Sequence, residues 1–145
     1  DVNQIQKKII VEKIRREFPD LAGLTIAVWG LAFKPKTDDM REAPSLEIIP
    51  ELLKSGAKLR VFDPVAAENA KKILGTENIE YLPSPYDAAT GADMLLIITE
   101  WDEFRAIDLT RIASSMKGKS VFDGRNIYQP AEMEKLGFKY VSVGR

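Results

Sequence analysis

From Thr25 to Val143 six short apolar runs alternate with stretches in which apolar residues return every three or four positions. The runs are Thr25–Trp29, Lys58–Phe62, Ile79–Leu82, Met94–Ile98, Ser120–Phe122 and Lys139–Val143. Four of them are rich in β-branched or aromatic residues, which suits strands. Between them helices are predicted over Ser45–Ser55, Ala66–Leu74, Pro85–Thr90, Leu109–Met116 and Ala131–Leu136. Gly23, Gly56, Gly75, Gly91, Gly118 and Gly137 each come shortly before a strand, where glycine readily ends the preceding helix. Strands alternating with helices predict an α/β fold. The sheet would be mostly parallel with about six strands, covered on both faces by right-handed crossovers to give a Rossmann-like three-layer domain.

An N-terminal helix precedes this rhythm. Val2, Ile5, Ile9, Ile10 and Ile14 form one stripe, polar residues fill the other face, and Pro19, Ala22 and Gly23 end it. Two readings fit: a helix packing on its own domain, or the end of a longer helix arriving from another domain. The chain starts at Asp1 inside this pattern, which suggests a piece of something longer. The division expected is residues 1–22 as the helix end and 23–145 as the Rossmann-like domain.

Local signals set the phase of the other helices. Asp63-Pro64 and Ser84-Pro85 each place a capping side chain before a proline at the first helical position. Ser84 with Asp87, and Thr99 with Asp102, have capping-box spacing with Asp in the Glu position. Pro50 conflicts with the pattern, since proline inside a helix costs about 3 kcal/mol. A kink, or a regular helix that starts later, would reconcile it.

Composition narrows the function classes. The 145 residues suffice for one domain with a real core. The 21 basic and 22 acidic residues nearly cancel, so charge gives no reason to expect nucleic-acid or membrane-surface binding. No apolar run has the length of a membrane span. Cysteine and histidine are absent, which excludes disulfides, Cys or His metal sites, a Cys nucleophile and a His base. It also suits a cytoplasmic location.

Ligands of open parallel sheets bind at the carboxyl ends of the strands. That rule selects Gly30 to Arg41, Asp63, Thr99 to Asp102, and Asp123 to Asn126. Gly30 and Gly124 on this edge would let a ligand or another backbone come close. The first loop is no dinucleotide fingerprint, because Ala32 and Pro35 stand where G-x-G-x-x-G needs glycine. Lys34, Arg41 and Arg125 are candidate phosphate ligands through their side chains. Taken alone, each reads more readily as a solvated surface charge, and Arg41 equally as a local ion pair with Asp39 or Glu42. Asp63 is a candidate acceptor for a ribose hydroxyl, with helix capping the stronger reading. Trp101 and Phe104 read as packing residues.

Several stretches, in order, resemble the C-terminal UDP-binding domain of the UDP-glucose/GDP-mannose dehydrogenase family. They are VNQIQ at Val2–Gln6, IAVWGLAFKPKTDDMREAPS at Ile26–Ser45, VFDP at Val61–Pro64, TEW at Thr99–Trp101 with Phe104, and FDGRN at Phe122–Asn126. The likeness spans nearly the whole chain, and departs from many relatives in having Ala43 where they carry Ser. The resemblance implies an NAD-dependent oxidoreductase that oxidises C6 of a UDP-sugar twice, making a UDP-uronic acid for polysaccharide precursors. In that family an N-terminal domain holds NAD and a central helical region forms the homodimer or larger homo-oligomer. By resemblance Phe33 and Lys34 contact the substrate, Arg125 contacts its UDP moiety, with Gly30 and Gly124 in the adjoining turns, and Arg41 reaches toward NAD. Asp1 to Phe18 would be the end of the helix joining the domains. The family's catalytic cysteine has no counterpart here, so this chain alone is expected to carry substrate contacts without turnover. TDDMRE and DGRN favour UDP-glucose over GDP-mannose or UDP-N-acetylmannosamine. A non-enzymatic nucleotide-binding module and a purely structural domain are the rival classes.

Overall fold

A computed structural model describes the backbone of residues 2–143 and the side chains of residues 7–143; the side chains of the VNQIQ stretch, and Asp1, lie outside the described residues. Six strands, β1 (Thr25–Trp29), β2 (Lys58–Phe62), β3 (Ile79–Tyr81), β4 (Met94–Ile97), β5 (Ser120–Asp123) and β6 (Lys139–Ser142), form one sheet in the order β3-β2-β1-β4-β5-β6. Every pairing is parallel, so the sheet is wholly rather than mostly parallel. The helices are α1 (Val2–Glu17), α2 (Ser45–Lys54), α3 (Ala67–Leu74), α4 (Pro85–Ala89), α5 (Asp102–Arg105), α6 (Leu109–Ser115) and α7 (Pro130–Lys135).

The central strands β1 and β4 are almost wholly apolar because both faces are covered, while β2, β3 and β6 carry the exposed Lys58, Glu80 and Lys139. Ile26, Val28, Leu59, Val61, Met94, Leu96 and Phe122 point to one face, and pack with α1, α2 and α3. Ala27, Trp29, Phe62, Leu95, Ile97 and Val121 point to the other, with residues of α4 to α7. On that second face the Phe104 ring lies against Trp29, centroids 5.2 Å apart, and meets Phe62 edge-on; Trp101 joins the same cluster. Both aromatic residues are therefore core packing, as expected.

The two halves of the sheet send their helices to opposite faces, which leaves one quadrant for α1. Ile10, Val11 and Ile14 are buried there, Phe18 meets Phe122 edge-on, Lys13 Nζ donates to the Ser142 carbonyl at 2.6 Å, and Glu17 pairs with Lys139. The N-terminal helix thus packs on its own domain.

Four local expectations change. Asp63 does not cap a helix that starts at Pro64; its Oδ1 accepts from the Val65 and Ala66 amides and closes a turn, and α3 begins at Ala67. Thr99 and Asp102 form no capping box, because Thr99 Oγ1 donates to the Ala32 carbonyl and Trp101 occupies the N-cap of α5. That helix, only one turn long, carries no periodic signal. Gly118 lacks the left-handed backbone of the other five strand-preceding glycines; a side chain there would meet the Asp93 carbonyl at 2.0 Å. Ser84 does cap α4, accepting from the Asp87 amide at 3.0 Å. Pro50 lies inside α2, which begins at Ser45 and runs unbroken; the proline faces solvent in the second turn.

Candidate functional site

The strand order reverses between β1 and β4, so their carboxyl ends splay the loops apart at the usual ligand crevice. The loop after β1 is a folded piece rather than a loose flap. Leu31, Ala32, Met40 and Ala43 are buried. Ser45 Oγ donates to the Leu31 carbonyl at 2.6 Å, Thr99 Oγ1 to the Ala32 carbonyl at 2.8 Å, and the Phe33 amide to the Asp39 carbonyl at 3.1 Å.

Two buried carboxylates fix the edge. Asp63 Oδ2 accepts from the Leu31 and Ala32 amides at 2.7 and 3.2 Å, while Oδ1 holds the turn after β2. Asp123, the last residue of β5, accepts from the Arg125 amide through Oδ1, and from the Ile127 amide and the Tyr140 hydroxyl through Oδ2. Burial, and then the Asp123 charge, push the Tyr128 phenol up, so its hydroxyl stays a donor to the Phe104 carbonyl. Asp63 is therefore a scaffold residue whose four hydrogen bonds all go to backbone amides.

The candidate residues do not all converge. Gly124 and Arg125 line a recess at the reversal point together with Lys7, Ile97 and Ile98. Lys7 was not singled out from the sequence; its side chain is buried, and its Nζ lies 3.4 Å from Glu47 Oε1. A lysine on the polar side of an amphipathic stripe gives no signal of such a place. Phe33 and Lys34 stand exposed on the first loop. Arg41 borders a different groove, over α3, beside Asp38, Asp39 and Lys72. Gly30 has φ +90°, and a side chain there would lie 2.5 Å from Thr99 Cβ; Gly124 sits against the Ile97 carbonyl. Gly30 is thus required by a close contact inside the protein, while a side chain at Gly124 would meet a tight one at 3.0 Å.

Arg41 is 89% exposed and grips Asp39 with Nε and Nη2, each at 3.0 Å. The side-chain hydrogen bonds from Arg41, then the one from its amide, hold the Asp39 carboxyl down at about 2. A depressed carboxylate contributes stability that is present above the ordinary range and is lost as pH falls through the folded value. We expect Asp39 to titrate at about 2 by NMR of its carboxyl carbon. Arg41→Gln should return it to the ordinary range, near about 3.9. An unchanged midpoint in that variant would mean the pair does not form in solution.

The first loop does not fit the pyrophosphate of NAD. The Leu31 and Ala32 amides, where a glycine turn would offer free donors, are spent on Asp63. Among the described residues no group of acidic side chains is arranged to hold a metal ion, and no helix is long and apolar enough to cross a membrane.

Residues 27–130 match the model of the UDP-glucose/GDP-mannose dehydrogenase family, UDP binding domain. The chain belongs to this family. It is 45% identical over 145 residues to UDP-glucose 6-dehydrogenase of Rhizobium meliloti, covering 99% of this chain and 33% of that protein. UDP-glucose 6-dehydrogenase of Pseudomonas aeruginosa is 43% identical, with the same coverage. Among solved structures, a UDP-glucose dehydrogenase from Pyrobaculum islandicum superposes with a TM-score of 0.80 at 32% identity, over 97% of this chain and 30% of that one. The chain thus spans about a third of the length of the curated relatives it matches. The matched region contains the loop after β1, the Asp63 that holds it, and the Asp123-Gly124-Arg125 turn.

Proposed function

We propose that this chain is the uridine-nucleotide-holding domain of an NAD-dependent UDP-glucose 6-dehydrogenase of the polysaccharide-precursor type. The observation that carries the reading is the place of Arg125. It stands within the family's UDP-binding region, on the strand edge at the reversal point, on a turn fixed by a buried carboxylate. A guanidinium there is a planar fork suited to diphosphate oxygens. Lys34, exposed on the first loop, adds a mobile point charge, and Phe33 beside it offers an apolar face to the sugar nucleotide. Arg41, at the exposed side of the loop, is the residue of this chain that would meet a cofactor carried elsewhere in the protein. Residues 1–22 would be the end of the helix leading to that remainder. Catalytic residues, and the surfaces of a homo-oligomer, would lie there too, and the cytoplasm is the compartment in which we place the enzyme.

The test is calorimetric titration of this chain with UDP, with GDP as control. UDP should bind and GDP should not. Arg125→Ala should weaken UDP at least about tenfold, since it removes charge-assisted bonds to phosphate. Equal binding of both nucleotides, or UDP binding indifferent to Arg125→Ala, would overturn the reading.

A further inference from the structure

We infer that Glu100 is a positioning residue for Arg125: it holds the guanidinium by one edge and leaves the other free for phosphate oxygens. This rests on the uridine-nucleotide reading of Arg125. Arg125 Nε donates to Glu100 Oε2, and Nη2 lies in an ion pair with the same oxygen. An arginine has five N–H donors in a fixed fork. The Nε–Nη2 edge is thus turned to Glu100, and the structure gives Nη1 no partner among the described residues.

The grip comes from a rigid place. Glu100 lies between Thr99, which is buried and bonded to the first loop, and Trp101, which is buried in the aromatic cluster. Glu100 follows β4 by three residues, Arg125 follows β5 by two, and the two strands pair directly. Both ends of the pair are therefore anchored by backbone that the sheet fixes. The Arg125 amide is further tied to Asp123, and Asn126 turns the chain with φ +58°.

Stability alone does not account for such an arrangement. The two side chains are 35% and 25% exposed, and pairs in that range add little to folding. What a grip on one edge of the guanidinium supplies is order. A long flexible side chain loses rotamer freedom when it binds a ligand, and a guanidinium already oriented loses less. The negative charge of Glu100 opposes phosphate at longer range, so the inference makes a choice with a sign: orientation outweighs repulsion, and removing Glu100 weakens the nucleotide rather than tightening it.

The experiment has two arms on this chain. The first follows the Arg125 Nε–H by ¹H–¹⁵N NMR in mildly acidic buffer without nucleotide. A slowly exchanging signal is expected, lost in Glu100→Ala with the backbone amide spectrum otherwise retained, and kept in part by Glu100→Gln, whose carbonyl still accepts. The second titrates UDP. Glu100→Ala should weaken it about fivefold to tenfold, Glu100→Gln should recover most of that, and Glu100→Ala added to Arg125→Lys should change little, because the oriented fork is already gone. Tighter UDP binding in Glu100→Ala, or an equal loss in the Arg125→Lys background, overturns the inference. Failure of the unaltered chain to bind UDP counts against the nucleotide reading, and the Nε–H arm then decides alone whether Glu100 holds the guanidinium: an unprotected signal refutes it.

Discussion

Asp63→Ala is expected to lower the free energy of unfolding by about 4 kcal/mol, through the loss of charge-assisted bonds to four backbone amides, three of them buried. The residue is 5% exposed, and its two oxygens tie the start of the first loop to the turn after β2. Alanine leaves the Leu31 and Ala32 amides beside buried Ala66 and Phe62, with little room for replacement by solvent. Asp63→Asn separates geometry from charge. Its carbonyl can serve one pair of amides, but its NH₂ then faces the other pair as donor against donor. An intermediate loss is expected. Urea unfolding followed by tryptophan fluorescence reads both. A loss below about 1 kcal/mol for the alanine variant would show that the carboxylate is not what holds the loop.

That clasp shows where sequence reasoning reached and where it stopped. Asp63 before Pro64 announces a capping carboxylate, and Oδ1 does this work on residues two and three ahead. Its other oxygen reaches back 31 and 32 positions, and nothing in the local pattern carries that contact. Strand positions were legible to within a residue, because strands covered on both faces read as short, mostly apolar runs. The order of those strands was not legible. Apolar runs say nothing about which side of β1 receives β4, and that choice creates the crevice. The short α5 was missed because four residues cannot show a period. The Arg41–Asp39 pair was readable, since two residues in one turn meet without help from the fold. Arg125 could be selected by residue type and strand-end position. Its partner could not, because Glu100 becomes its neighbour only through the pairing of β4 with β5.

Gly30→Ala is expected to destabilise the protein by about 4 kcal/mol, combining a clash with a left-handed backbone. The φ of +90° alone disfavours any side chain. The new Cβ would also lie 2.5 Å from Thr99 Cβ and 2.6 Å from the Thr99 backbone nitrogen. Neither neighbour can give way cheaply. Thr99 is held by its bond to the Ala32 carbonyl, the amide before it donates to the Trp29 carbonyl at 2.9 Å, and the Gly30 amide itself donates to the Phe62 carbonyl at 2.8 Å. Gly137→Ala is the control: its φ is also +90°, yet nothing lies within 4 Å of the added carbon. It should cost only about 1 kcal/mol, the conformational part alone. The difference between the two variants in urea midpoint then isolates the close approach of β1 and β4 at the crevice. Equal losses would refute that approach as the reason for Gly30. A large excess at Gly30 would establish that this glycine first serves the joint between the two loops, and that any nucleotide on this edge meets a surface which that joint has already shaped.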